Sequence, residues 1–206
     1  MKLKLFTLIS SLLVLSTPSF AQTQSCTATY TCDGRLTQGS ADRPMNGVAR
    51  GLRVTLSGDP TPGFRIWARL SDSATGDGFK AAVVNASDHD TVLAESAERT
   101  DISTAGWYMF SGADFDTVNL ANGATIEIVI VSNSAANALF NQDDIGLLGV
   151  VSSTLTYGPP FDLIDPLADD TTRDYSIYIE YQTGGAAGGN CNMGMLGMSR
   201  CENFIN

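Results

Sequence analysis

The chain has 206 residues, with 22 acidic against 12 basic side chains and a formal net charge of −10. This acidity disfavours nucleic acid and anionic membrane surfaces as partners, because both are negatively charged. The length suffices for one domain with a sizeable core, and no apolar run after the N-terminus is long enough to predict membrane insertion.

The first segment, residues 1–21 (MKLKLFTLISSLLVLSTPSFA), has the three parts of a secretory signal peptide. A lysine-containing start precedes an apolar run over residues 5–15, and a small-x-small cleavage site ends at Ala21. The apolar run is too short for a membrane anchor. The sequence therefore predicts cleavage after Ala21 and a secreted mature protein, extracellular or periplasmic.

The four cysteines lie near the two ends of the mature chain, at Cys26, Cys32, Cys191 and Cys201. Export to an oxidising compartment favours disulfides, and four cysteines allow three pairings. We predict the local pairs Cys26–Cys32 and Cys191–Cys201. A pairing that ties the two ends together is the alternative. A zinc site is disfavoured, because the CxxC pairs of a zinc ribbon are missing and the chain has a single histidine.

Alternating apolar and polar residues predict about nine short β-strands, and no segment shows a convincing helical period. In chain order they are residues 52–56, 64–70, 79–84, 92–96, 107–111, 125–131, 145–151, 154–157 and 175–181, where 145–151 and 154–157 are either two strands or one bent strand. Residues 163–170 (LIDPLADD) are predicted to be a loop. The pattern predicts an all-β fold, an antiparallel β-sandwich of jelly-roll type over residues 22–183. A Gly-rich linker and a Cys/Met-containing tail follow over residues 184–206.

Within residues 107–131, two apolar runs are joined through Asn122-Gly123 (WYMFSGADFDTVNLANGATIEIVIV). Asn-Gly supplies the positive φ angles of a tight turn, so the two runs are predicted to form a β-hairpin. Both faces of the first run, WYMF, are apolar. This favours a central strand buried on both sides, with Trp107 in the core rather than in a binding site.

The longer stretch TVLAESAERTDISTAGWYMFSGADFDTVNLANGATIEIVIV, residues 91–131, resembles the central hairpins of bacterial secreted jelly-roll domains. These carry Gly-Trp-x-x-Phe followed by Val-x-Leu-x-x-Gly and an isoleucine-containing strand. The chain departs from the pattern at Thr125-Ile126-Glu127, where a tyrosine is usual before the isoleucine. Such galactose-binding-like and concanavalin-like domains recur beside surface anchors, adhesins and glycoside hydrolases. The resemblance implies a β-sandwich, and it carries over no ligand residues.

The strand over residues 64–70 places Arg65, Trp67 and Arg69 on the face opposite its apolar residues. A tryptophan between two arginines is typical of a sugar-binding platform, since an aromatic ring stacks on a pyranose and guanidinium groups bond hydroxyls or carboxylates. The alternative is that a loop covers this face and the arginine stems pack on the indole.

Acidic turns offer oxygen ligands for a structural Ca²⁺, and Asp72 and Asp77 in SDSATGDG are the candidate pair. Solvated turns explain the same residues, and no motif requires a cofactor. His89 lies between two aspartates, but the chain has no GxSxG nucleophile motif, and we predict an exposed, non-catalytic histidine.

Together these features predict a non-catalytic binding or adhesion module that recognises an extracellular glycan or a surface protein. Trp67, Arg65 and Arg69 are the candidate contacts. One alternative is a self-associating structural subunit of a surface layer, matrix or filament. A second is a polysaccharide-active enzyme, which would need two carboxylates facing across a cleft; Glu127 and Glu180 are the strand carboxylates available.

Overall fold

The computed structural model describes residues 23–26, 29–45, 47–72, 77–133, 138–143, 148–152, 154–158 and 160–183. The predicted signal peptide (residues 1–21), the tail (residues 184–206) and its cysteine pair lie outside the described residues. Two antiparallel sheets pack against each other around a shared apolar core, which confirms the predicted all-β sandwich. No helix in the described ranges is long and apolar enough to cross a membrane.

Fifteen short strands and one helix make up the described part of the chain. In chain order they are β1 (Thr31–Gly34), β2 (Ala41–Pro44), β3 (Ala49–Thr55), β4 (Pro60–Asp72), β5 (Phe79–Asn85), β6 (Val92–Glu95), β7 (Gly106–Phe110), α1 (Ala113–Thr117), β8 (Thr125–Ser132), β9 (Ala138–Asp143), β10 (Gly149–Ser152), β11 (Leu155–Thr156), β12 (Asp162–Leu163), β13 (Ala168–Asp170), β14 (Asp174–Tyr175) and β15 (Ile177–Thr183).

The first sheet has the strand order β1-β15-β4-β9-β14, with β2 paired to β9 and β7 paired to β4. The second sheet has the order β13-β10-β3-β8-β5-β6. Every second residue of β4 points into the space between the sheets, and Phe64, Ile66 and Leu70 are buried there. They face Ile126, Ile128 and the other inward side chains of the second sheet. The alternation in the sequence thus arises because one face of each strand meets this core.

The second sheet is also covered on its outer side. Phe161, Leu163 and Leu167 pack there against apolar residues of β5, β8 and β10. The predicted loop over residues 163–170 therefore needs correction, since it contains the end of β12 and all of β13, and its leucines at 163 and 167 are buried. This covering segment explains why β5 and β8 are apolar on both faces.

The predicted bent strand over residues 145–157 is also wrong, because β10 belongs to the second sheet and β11 pairs with β12 in a separate two-stranded sheet. At the end of β10, the Ser152 hydroxyl donates to the carbonyl oxygen of Asp165 at 2.9 Å, and the carbonyl oxygen of Thr154 lies 3.2 Å from the same hydroxyl. The bond to Asp165 holds the covering segment against the end of β10.

The hairpin predicted within residues 107–131 is wrong, because β7 lies in the first sheet and β8 in the second. The chain crosses between the sheets through α1, whose Phe115 is buried and stacks on Phe64 with 4.5 Å between ring centroids. The buried Phe115 thus fixes the connection from β7 to β8 against the core between the two sheets.

Asn122 and Gly123 do form a turn, and Gly123 has a φ of 79°. The turn bonds to the end of β3 instead of to β7, since the Gly123 amide donates to the carbonyl of Leu56. The Leu56 amide in turn donates to the carbonyl of Ala124. The Asn122-Gly123 pair therefore predicts the turn correctly, but it does not predict that the turn bonds to the end of β3.

Cys26 and Cys32 form a disulfide with 2.15 Å between their Sγ atoms, which confirms the predicted local pair. Replacing both cysteines by serine should lower the free energy of unfolding by about 2 kcal/mol, because the bridge closes a short loop in the unfolded chain. Urea unfolding of the mature protein measures the difference. An unchanged transition midpoint and slope would contradict this expectation.

Burial also affects tyrosine ionisation in the core. Burial, reinforced by the hydrogen bond to Asp33, raises the pKa of Tyr181 from 10.0 to about 12. Burial likewise raises the pKa values of Tyr157, Tyr175 and Tyr178. The neutral phenols stabilise the folded state below pH 10, and we expect that stability to be lost as the pH rises from about 10 towards 12. Unfolding free energies across this range test the expectation, and Tyr181→Phe should flatten the fall. A fall that ends by pH 10 would contradict it.

Candidate functional site

The outward-pointing residues of three neighbouring strands form one continuous face of the first sheet. The β4–β7 and β4–β15 registers place Trp67 between Met109 and Tyr178. We call this side of the sheet the outer aromatic face. Its partly exposed members are Arg65, Trp67, Arg69, Trp107 and Met109, and its buried members are Tyr178 and Glu180. The predicted outward placement of the three β4 residues is confirmed, and their role in ligand binding stays a prediction.

Trp67 is half-buried and held on two sides. Its Nε1 donates to Glu180 Oε2 at 2.9 Å, and its ring lies nearly parallel to the Tyr178 ring, with centroids 6.2 Å apart. Tyr178 itself is fully buried. The indole is therefore a rigid element of the sheet surface and does not swing freely in solvent.

Trp107 lies on the same face, which corrects the prediction of a strand buried on both sides. Among the described strands β7 pairs with β4 alone, and Trp107 is half-buried. Its ring lies 5.6 Å from that of Tyr178, tilted by 58°. The inner side of β7 is formed by Tyr108 and Phe110, which contact the core. The apolar run therefore has one face in the core and one on the outer aromatic face.

A pocket of about 470 Å³ opens at the Arg65 end of this face. The polar and aromatic residues that line it are Tyr30, Phe64, Arg65, Ser111, Asp116, Glu180 and Gln182, and Met109 adds an apolar side chain. The Arg65 guanidinium lies 4.9 Å above the Tyr30 ring, and its Nε is 3.8 Å from Glu180 Oε2. Neither Trp67 nor Arg69 lines the pocket, but Trp67 adjoins its wall through Glu180.

The carboxylate of Glu180 links the two parts of the site. It is 2 % exposed, and it accepts a hydrogen bond from Trp67 while lying close to Arg65. A buried carboxylate is costly unless such partners compensate its charge. Glu180 therefore fixes the positions of both side chains, which is a role that alternation within β4 alone could not reveal.

The two candidate calcium ligands, Asp72 and Asp77, flank a segment that is not described. Asp72 ends β4 and is buried, Asp77 is half-buried, and residues 73–76 between them are not described. Among the described residues, the group with metal-ligand proximity is Cys26, Cys32 and Glu180, and its cysteines are joined in the disulfide. Calcium binding by Asp72 and Asp77 stays a prediction.

A charged cluster occupies the opposite outer face, on the second sheet. Glu127 on β8 is 0 % exposed, and its Oε1 lies 2.7 Å from both Arg53 Nη2 and His89 Nδ1. His89 has a φ of 62° and a side chain that is 34 % exposed. It is therefore only partly exposed, which corrects the sequence expectation.

The two strand carboxylates considered for glycoside hydrolysis lie on opposite sides of the sandwich. Glu127 belongs to the charged cluster of the second sheet, and Glu180 to the outer aromatic face of the first. A glycosidase needs both carboxylates across one cleft. This pair cannot act on a single glycosidic bond.

No family model matches the chain, and no curated protein matches it. The resemblance to secreted jelly-roll domains therefore stays a prediction.

Proposed function

We propose that the mature protein is a secreted, non-catalytic module that binds extracellular glycans through the outer aromatic face. Export is the prediction made from residues 1–21. The observation that carries the proposal is the pair Trp67 and Trp107 on one rigid sheet surface, beside the arginines of β4. Sugar rings offer apolar faces to aromatic side chains and hydroxyl groups to polar ones.

The adjoining pocket supports the same proposal by its mixture of donors and acceptors. Arg65 and Gln182 offer N–H groups, and the exposed Asp116 offers carboxylate oxygens. A sugar hydroxyl both donates and accepts hydrogen bonds, so a neutral ring hydroxyl finds both kinds of partner there. Tyr30 adds an aromatic wall at the pocket edge.

A glycan array with the mature wild type and two variants tests the proposal. We expect Trp67→Ala and Tyr30→Ala each to lose binding at least about tenfold, because each removes a contact surface for the sugar. Leu93→Ala, at an exposed position on the second sheet, serves as the control and should bind as the wild type does. Absence of wild-type binding, or equal binding by all variants, would overturn the proposal.

One observation favours the alternative of a self-associating structural subunit. An apolar groove of about 720 Å³ runs between the end of β1 and β3, and Leu36, Leu52, Val54 and Leu148 line it. Leu148 is 51 % exposed beside this groove. Exposed apolar surface of this kind marks sites of association between chains.

Light scattering of the mature protein over a wide concentration range tests this alternative. Concentration-dependent assembly that Leu148→Asp abolishes would support it, because the charge would enter the groove. A strict monomer at the highest concentration would remove it.

A further inference from the structure

We infer that the ligand of the outer aromatic face carries an anionic group, a carboxylate or a sulfate, which binds between Arg69 and Trp107. This inference rests on the proposed glycan-binding function and narrows it to acidic glycans. Arg69 on β4 lies directly opposite Trp107 on β7 in the antiparallel register. Opposite residues carry their side chains on the same face, with Cβ atoms about 5 Å apart. The two side chains are therefore immediate neighbours.

Three N–H donors of this pair are buried without an acceptor. Nε and Nη1 of Arg69 and Nε1 of Trp107 have no hydrogen-bond partner within the described ranges. Buried N–H groups in folded proteins are nearly always paired, and an unpaired one calls for a bound water, ion or ligand. A buried guanidinium requires an acceptor more strongly than a neutral N–H group does, because it carries a full positive charge at every accessible pH.

Five other arginines have a partner of a kind that Arg69 lacks. A carboxylate forms an ion pair with each of Arg35, Arg53, Arg65, Arg99 and Arg173. Acidic side chains are abundant, 22 against 12 basic ones in the whole chain. Even so, no carboxylate of the described residues forms an ion pair with Arg69. Arg43 and Arg50 are also half-buried and have no ion pair among the described residues, but neither has a buried guanidinium nitrogen without a hydrogen-bond partner. Arg69 has two such nitrogens, and it lies on the face where two tryptophans meet.

The N–H donors of Arg69 and Trp107 determine which kind of ligand group fits between them. Arg69 and Trp107 contribute donors and no acceptor, which suits a group that only accepts. A carboxylate or sulfate offers several oxygens to the planar guanidinium fork and neutralises its charge. A neutral hydroxyl would accept one hydrogen bond but leave the charge unpaired. The sugar ring that bears the anion would then lie against the indoles of Trp67 and Trp107.

Calorimetric titration of the mature protein with matched polysaccharides tests the inference. The probes are polygalacturonate, its methyl-esterified form, dextran sulfate and dextran, so that each anionic polymer has a neutral counterpart. We expect polygalacturonate or dextran sulfate to bind at least about tenfold more tightly than its counterpart. Comparing the two anionic polymers distinguishes a carboxylate ligand from a sulfate ligand.

Variants test whether Arg69 and Trp107 cause the preference for the anionic polymer. Arg69→Gln should remove the preference for the anionic polymer, while Arg69→Lys should keep part of it because the charge remains. Trp107→Phe keeps an aromatic ring and loses the N–H, so it should weaken anionic binding alone. Arg43→Gln on β2 removes the same charge elsewhere and should leave the preference intact.

The outcomes separate this inference from the proposed function. Equal binding of charged and neutral polymers by the wild type would overturn the inference and leave glycan binding standing. So would a preference that survives Arg69→Gln, since water would then satisfy the buried donors. Failure of every glycan to bind on the array and in solution would overturn both. Thermal unfolding of each variant confirms that it is folded. The comparison of charged with neutral polymers uses the wild type alone and does not depend on any variant.

Discussion

Replacing Arg53 by methionine should lower the free energy of unfolding by about 3–5 kcal/mol, because a buried carboxylate, that of Glu127, then loses its guanidinium and keeps only the partly exposed His89 as a partner. Glu127 is completely buried, and its Oε1 accepts a hydrogen bond from Arg53 Nη2 at 2.7 Å. Its Oε2 is also buried and has no hydrogen-bond partner among the described residues. The carboxylate therefore depends heavily on the guanidinium beside it.

A double variant separates the net contribution of the ion pair to stability from the penalty of leaving one buried charge unpaired. Arg53→Met combined with Glu127→Leu removes both charges and should recover most of the loss, because apolar residues of similar volume often replace buried ion pairs at little cost. Urea unfolding of the wild type, both single variants and the double variant measures the coupling. A single Arg53→Met variant within about 1 kcal/mol of the wild type would contradict the expectation.

The second large effect is expected at Gly51, where Gly51→Ala should cost at least about 4 kcal/mol or prevent folding. A Cβ at Gly51 would lie 1.8 Å from the carbonyl oxygen of Ile128 on the neighbouring strand β8. The obstacle is backbone, so no side-chain rotation can relieve it. The β3–β8 pair at the centre of the second sheet would have to separate.

Gly106 on β7 provides the matched control, because a Cβ there meets its nearest atom at 3.6 Å, an ordinary contact. Gly106→Ala should therefore unfold close to the wild type. Circular dichroism and thermal unfolding of both variants give the comparison. Wild-type stability of Gly51→Ala would show that β3 and β8 do not approach as closely as described.

The sequence predicts the strands that contribute a full apolar face to the core. Strands β3, β4, β5 and β8 follow the predicted segments closely, since burial of one or both faces imposes a recognisable pattern. Strands β1, β2 and β9 were not predicted, because β1 and β2 have only four residues each and all three carry polar or charged residues (TCDG, ADRP and ALFNQD). Their pairing depends on distant partners that local pattern does not encode.

Long-range pairing also limits what the sequence reveals about the site. Alternation correctly places Arg65, Trp67 and Arg69 on the outward face, because side-chain direction is a local property of a strand. The contributions of Trp107 and Glu180 follow from the β4–β7 and β4–β15 registers, which connect residues about 40 and 113 positions apart along the chain. The placement of Glu180 in the predicted strand over residues 175–181 is the available signal, and no local feature connects it to Trp67.

The central claim, that the outer aromatic face binds glycans, is tested most directly by the indole N–H signals in a two-dimensional NMR titration. The chain has two tryptophans, Trp67 and Trp107, and both lie on this face. Titration with the glycan that binds best on the array should shift both indole signals, with Trp67→Phe assigning them. Saturating glycan that leaves both signals unmoved, while shifts appear elsewhere or nowhere, would contradict the claim.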